Sequence, residues 1–266
     1  MRTVNELFRL DERVAIVTGG AGHIGLAFGE ALSEQGARVV VVDRQRLACE
    51  ERAHVLETKS GVKALALPED LSDSAAPGRV VAATLAAFGR IDVIVNNAAF
   101  TGASGLPGYA VPFPEQSLEA WEAAIRVNLT CAFQLVQAAH QELAARRGSV
   151  VNVGSIYGVV GPNMNLYAGT PMGNPAAYAA TKGGLLQLTQ YLATVLAPKV
   201  RVNAISPGGI SRGQPEAFAE RYAALTPLKR MGTEEDLKGA LALLVSDAGA
   251  YITGQNIMVD GGWTAW

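Results

Sequence analysis

Tyr178 and Lys182 stand four positions apart in Tyr178-Ala179-Ala180-Thr181-Lys182. On a helix that spacing puts a phenol and an ammonium on one face. A free phenol titrates near pH ~10, too high for easy proton exchange at neutrality. A neighbouring cation favours the phenolate and brings the group toward the range of a working general acid or base. Alone, such a pair also reads as an ordinary surface pair. A second chemical feature lies near the N-terminus, in Thr18-Gly19-Gly20-Ala21-Gly22-His23-Ile24-Gly25. A glycine-rich turn lets backbone approach a pyrophosphate, and a helix starting there aims free N–H groups and a positive dipole end at the anion. Asp43 follows 18 positions after Gly25. An acid at about that distance accepts hydrogen bonds from ribose hydroxyls and repels a 2′-phosphate, which favours NAD(H) over NADP(H). Arg44 beside it is able to reach a phosphate, so NADP(H) stays open; its alternatives are a place over the adenine or in solvent.

The elements that must position these residues alternate. Arg13–Thr18, Ala37–Asp43, Val62–Leu67, Ile91–Val95, Ser149–Val153, Val200–Ile205 and Asn256–Val259 read as strands. Their apolar residues run without strict alternation, as in a parallel sheet covered on both faces. Helices are predicted over Ile24–Gln35, stopping at Gly36, over Ser117–Ala145, and over Ala176–Ala197, stopping at Pro198. A further helix spans Thr233–Val245, with Thr233 as cap and acids in its first turn. The β-α alternation predicts an α/β fold: a Rossmann-type, doubly wound parallel sheet of about seven strands with helices on both faces. No linker or repeat interrupts the chain. One domain over residues 1–266 is expected, with a cofactor half at about 10–150 and a catalytic and substrate half at about 151–266. Two irregular segments, Phe100–Pro114 and Gly158–Pro175, are rich in Gly and Pro, and each directly follows a motif. Such segments in compact domains tend to be functional.

Composition narrows the function class. Lys plus Arg total 22 against 24 Asp plus Glu, a formal charge of −2, which gives no basic footprint for nucleic acid. Cys49 and Cys131 suggest neither a disulfide framework nor a thiolate metal site. His23, His54 and His140 are isolated, so no metal is expected. No apolar run reaches the ~18 residues of a membrane span, and Met1–Leu10 lacks the apolar core of a secretory signal. A cytoplasmic protein acting on a small molecule, without nucleic acid or membrane partners, is expected.

Several ordered motifs together resemble the short-chain dehydrogenase/reductase family over nearly the whole chain, from about Leu10 onward. The glycine turn is similar to the family's cofactor motif. Asn96-Asn97-Ala98-Ala99 resembles its Asn-Asn-Ala-Gly element, and Asp70-Leu71 the acid that holds adenine. Asn128, Ser155, Tyr178 and Lys182 match the catalytic tetrad. Ser206-Pro207-Gly208-Gly209 resembles the Pro-Gly element beside the nicotinamide, and Asp260-Gly261-Gly262 the usual ending. The resemblance implies a nicotinamide-dependent oxidoreductase interconverting a secondary alcohol and a ketone. It implies that Tyr178 gives or takes the proton, Ser155 steadies the substrate oxygen, Lys182 holds the nicotinamide ribose, and Asn128 positions a relay water. Gly19, Gly22, His23, Ile24, Gly25, Asp43, Arg44, Asp70, Leu71, Asn97, Ala98, Pro207, Gly208 and Ile210, with Tyr178 and Lys182, are the implied cofactor residues. It further implies a homo-oligomer, dimer or tetramer, pairing the helices that carry Asn128 and Tyr178.

Departures from the family pattern are local. His23 stands where glycine is usual, with Gly22 as the nearest source of flexibility. Ala99 replaces a glycine. The Pro-Gly element lacks a following threonine, and Ser211 is the nearest hydroxyl. More informative is the separation of 23 positions between Ser155 and Tyr178, longer than is usual. The added residues should border the active site, and Tyr157, Asn163, Asn165 and Tyr167, with Arg212, offer hydrogen-bonding groups to a substrate. Together with the closing Gly261-Gly262-Trp263 they resemble relatives of bacterial surface-sugar pathways. A polar substrate is therefore expected: a sugar, sugar derivative or polyol. The alternative reading is that the insertion packs on a neighbouring subunit. The competing readings are a 3-oxoacyl-carrier ketoreductase and a nucleotide-binding regulator without turnover.

Overall fold

The computed structural model describes residues 1–266. Seven strands form one parallel sheet: β1 (Val14–Thr18), β2 (Arg38–Asp43), β3 (Ala64–Pro68), β4 (Val93–Asn96), β5 (Ser149–Val153), β6 (Arg201–Pro207) and β7 (Asn256–Val259), in the order β3-β2-β1-β4-β5-β6-β7. The central strands have no polar alternation because both faces are covered. Ala15 and Val17 of β1 enter one core cluster, and Val14 and Ile16 enter the other. The first cluster is closed by helices α2 (His23–Glu34), α3 (Arg46–Ser60) and α9 (Glu235–Val245), through Phe28, Leu56 and Leu241 among others. The second is closed by α4 (Ala76–Phe88), α6 (Cys131–Arg146) and α7 (Ala176–Val195), through Val80, Leu135 and Leu192. Strand order reverses between β1 and β4. That is the switch point beside which open α/β sheets bind ligands, at the carboxyl ends of the strands.

All seven expected strands are present, most with ends within one or two residues of the prediction. Gly36 ends α2's turn at φ +98°, a conformation that favours glycine. The helix expected over Ser117–Ala145 is divided. It comprises α5 (Leu118–Ile125), a π-helical turn over Arg126–Thr130 that carries Asn128, and α6. Thr233 does not cap α9 as predicted. The helix starts later, and the Asp236 carboxylate accepts the Thr233 N–H (2.7 Å) and hydroxyl (3.2 Å) instead. Four helices escaped the sequence reading: α1 (Val4–Phe8), α3, α4 and α8 (Glu216–Leu225). α3 is mostly charged, and only Cys49, Ala53 and Leu56 mark its buried stripe. α3 and α4 end at Gly61 and Gly89, both left-handed, which are readable stop signals. No helix is long and apolar enough to cross a membrane.

Candidate active site

The carboxyl ends of β1, β4, β5 and β6 border a cleft of about 730 Å³. At its first end the glycine turn is built by close approach. A Cβ at Gly25 would sit 2.1 Å from the Gly19 carbonyl oxygen, and one at Gly20 2.8 Å from the Val17 carbonyl oxygen. Gly19 itself has φ +61°. The turn is stapled to β4. Asn97 Nδ2 donates to the Thr18 and Gly19 carbonyls (3.0 and 3.1 Å), and the Thr18 hydroxyl accepts the N–H groups of Asn97 and Ala98 (3.0 and 3.1 Å). Asn97 thus shapes the turn with its side chain. Gly22 caps α2 at φ −74°, and His23 is the first helical residue, so neither needs left-handed freedom. The histidine at a usual glycine position therefore leaves the turn unstrained. Gly19, Gly22, His23, Ile24, Gly25, Asp43, Asn97 and Ala98 all line the cleft.

The second end holds Ser155, Tyr157, Tyr167, Tyr178, Lys182, Pro207, Gly208, Ile210 and Arg212. β5 delivers Ser155, whose hydroxyl accepts the Tyr157 N–H at 3.1 Å and keeps its own proton to donate. α7 presents Tyr178 and Lys182 one turn apart, with the ammonium 5.6 Å from the phenol ring centre. Lys182 is buried, and its Nζ donates to the Val153 carbonyl at 2.6 Å. Gly158 permits this packing, since a Cβ there would lie 2.8 Å from the Lys182 carbonyl carbon.

Burial lowers the Lys182 ammonium to about 8. Burial also dominates at Tyr178 and pushes its phenol up, while the Ser155 hydroxyl and the positive Arg212 pull it down. Burial outweighs the opposing pull of Ser155 and Arg212, so the cleft favours the protonated phenol.

Other predicted residues lie elsewhere. Asn128 is buried behind the cleft. Its Oδ1 accepts the Phe100 N–H (2.7 Å), and its Nδ2 donates to the Phe100 carbonyl and the Thr181 hydroxyl, both at 3.2 Å. Its side chain is committed to fixing α7 and the segment after β4. Asn163 and Asn165, expected to face substrate, do not line the cleft. Asn163 Oδ1 accepts the Asn165 N–H (3.1 Å) and caps the short helical turn Met164–Tyr167. Arg44 and Asp70 are exposed outside the cleft lining, the Asp70 carboxylate accepting the Ser72 N–H, and Leu71 is buried in the core. Ser211 is exposed and also outside the lining.

The sequence reading missed Asn174, Met172, Phe218 and Tyr222, which do line the cleft. Phe218 and Tyr222 are four apart on α8, a helix it did not identify, and Tyr222 stacks on Trp263 at 4.4 Å. The insertion does reach the site. Tyr167 hydrogen-bonds Tyr157 hydroxyl to hydroxyl at 2.9 Å and packs on Phe218 at 5.4 Å. Arg221 of α8 clamps the insertion by donating to the Ala168 carbonyl at 2.5 Å and the Leu166 carbonyl at 3.3 Å.

Comparison with known proteins places this geometry. A family model described as enoyl-(acyl carrier protein) reductase matches residues 19–264. The chain is 35% identical over 260 residues to cis-4-hydroxycyclohexanecarboxylate dehydrogenase of Sinomonas cyclohexanicum, covering 96% of this chain and 97% of that protein. Among solved structures it resembles a gluconate 5-dehydrogenase from Burkholderia cenocepacia in complex with NADP and tartrate. That match has a TM-score of 0.87 and 29% identity, covering 99% of this chain and 100% of that one. It also resembles an NAD+-bound xylitol dehydrogenase, with a TM-score of 0.84 and 29% identity, covering 95% and 99%.

Proposed function

Because the chain belongs to the short-chain dehydrogenase/reductase family, we propose that it interconverts a secondary alcohol and a ketone on a polar small molecule, with NAD(H) as the preferred cofactor. The observation that carries this is the one cleft that joins a glycine turn with no room for a Cβ at Gly20 and Gly25 to buried Ser155 and Lys182 and half-buried Tyr178. The residues fit a dinucleotide. Gly19 to Gly25 would hold the pyrophosphate, Asp43 the adenosine ribose, Lys182 the nicotinamide ribose, and Pro207, Gly208 and Ile210 the nicotinamide. When bound, the cofactor supplies the hydride acceptor or donor.

The chain's own residues do the rest. Tyr178 gives the proton to the substrate oxygen in reduction and takes it in oxidation. Ser155 donates a hydrogen bond to the same oxygen as charge develops there. Lys182, as a cation beside the phenol, favours loss of its proton during oxidation. Asn128 acts by position, holding Thr181 and so the turn of α7 that carries Tyr178 and Lys182. It stands behind the cleft, and with both amide hydrogens engaged it can align a relay water only through its remaining acceptor capacity.

Asp43 supports NAD(H), although a structural relative carries NADP. The relatives' named substrates, a hydroxycyclohexane carboxylate, gluconate and xylitol, support a polar alcohol for this chain. A second reading, a 3-oxoacyl-carrier ketoreductase, is favoured by the similarity to a 3-oxoacyl-[acyl-carrier-protein] reductase of Synechocystis, 34% identical over 259 residues. The family assignment also supports a cytoplasmic homo-oligomer, dimer or tetramer, folded as one domain over 1–266. The testing experiment is turnover on polyols, sugars, hydroxycycloalkanes and a carrier-bound 3-ketone, with NAD(H) and NADP(H) in parallel. NAD-linked turnover of small polar alcohols is expected. Turnover of the carrier-bound ketone with NADPH alone selects the second reading.

A further inference from the structure

The acidic and basic side chains that line the cleft are few. Asp43 stands at the dinucleotide end, His23 at the start of α2, and the Lys182 ammonium donates to the Val153 carbonyl. The remaining one is Arg212, and no carboxylate lines the cleft beyond Asp43. The local chain holds Arg212 in place. Its N–H donates to Gln214 Oε1 at 2.6 Å, and Gln214 Nε2 returns a bond to the Ile210 carbonyl at 2.7 Å. Its Nε pairs with Glu234 at 3.2 Å, which orients the guanidinium and leaves both Nη groups uncommitted. The side chain is 34% exposed, open enough to meet a ligand. Arg212 lines the same cleft as Ser155 and Tyr178, and its charge pulls the Tyr178 phenol down.

Asn174 adds a second observation. The residue lines the same cleft, and its buried Nδ2 has no hydrogen-bond partner. An orphaned buried donor is unfavourable until an acceptor meets it. A guanidinium held by Glu234 at Nε with its Nη groups free, beside an amide donor in a cleft lined by no carboxylate other than Asp43, matches an acceptor-rich anion. A neutral polyol would need acceptors from the wall as well as donors.

We propose that the substrate is an acid, a secondary hydroxy acid or its keto acid, whose carboxylate is held by Arg212 and Asn174 while its carbinol meets Tyr178 and Ser155. This rests on the dehydrogenase reading above and narrows its substrate class.

The test has two arms. In the first, calorimetry on NAD+-saturated enzyme compares cyclohexanecarboxylate and butyrate, each with its own carboxamide; this arm needs no turnover. In the second, kcat/KM is compared for 4-hydroxycyclohexanecarboxylate and 3-hydroxybutyrate against their carboxamides. The acid is expected to exceed its amide by about tenfold or more in at least one pair in each arm. Arg212→Gln is expected to lower that acid-to-amide ratio by about 10- to 100-fold, the worth of one hydrogen bond to a charged group. Arg212→Lys, which keeps the charge without the fork, should recover part of it, and Asn174→Ala should lower it less. A wild-type ratio near one in every pair, or a ratio that survives Arg212→Gln, overturns the proposal. Turnover of the amides alone would do so while leaving the dehydrogenase reading intact. Acid-selective binding without any turnover would instead keep the anion site and remove that reading.

Discussion

Replacing Lys182 by methionine should change how stability responds to pH, by an amount the structure sets. The ammonium is buried, and desolvation lowers it from 10.5 to about 8. Between these values the unfolded chain binds more protons than the folded one, so wild-type stability rises with pH. The burial cost is present in full below pH ~8 and disappears above the unfolded value of ~10.4. A shift of about 2.5 units corresponds to roughly 3 kcal/mol in total, of which about 2 kcal/mol is regained between pH 7 and pH 9.5. For a chain of this length that is a change in Tm of about 4 °C. The assay is thermal denaturation of wild type and Lys182→Met across this range, read as the difference between the two curves. Methionine keeps the length and apolar body of the side chain, and groups common to both proteins cancel. Wild type should gain about 4 °C on the variant from pH 7 to 9.5. A flat difference refutes the reasoning and means that the ammonium does not feel its burial.

Three further outcomes follow from the geometry. Gly25→Ala should weaken NADH binding at least about tenfold and destabilise by about 1–3 kcal/mol, measured by fluorescence titration and melting, because its Cβ would sit 2.1 Å from the Gly19 carbonyl oxygen. Asp43→Asn should lower the NADH-over-NADPH preference in kcat/KM by about 10- to 100-fold, since it removes hydrogen bonds from a charged acceptor and the repulsion of a 2′-phosphate. Arg221→Met frees the insertion from α8, where Arg221 now binds the carbonyls of Leu166 and Ala168. It should raise substrate KM several-fold with little loss of kcat, and limited proteolysis should cut near residues 164–170.

The strands were legible because apolar β-branched runs bounded by Gly, Asp or Pro have few alternatives, as in β2 and β6. The candidate catalytic pair was legible because its spacing is tied to the element that carries it: Tyr178 and Lys182 need only one turn of α7. Less legible was α3, whose single buried stripe is hidden among charges. The insertion was placed at the site correctly, but its residues were not sorted. Asn163 and Asn165 looked like substrate ligands, yet a short helical turn uses one as its cap. Asn174, with its unpartnered amide, carries the same chemical signal in the chain and differs only in where the fold points it. Composition does not reveal whether an amide is spent on its own backbone. The balance at Tyr178 was hidden for a similar reason: burial outweighs a neighbouring charge only once the depth of the site is known.

The central claim is that Tyr178 moves the proton while hydride passes to or from a bound nicotinamide. Steady-state turnover of the best alcohol from the panel, with NADH affinity measured in parallel, tests it on Tyr178→Phe. The account predicts a loss in kcat of at least about 10²-fold, the low end for a positioned acid or base, with NADH affinity changed only a few-fold. Turnover that survives the loss of this hydroxyl would contradict it.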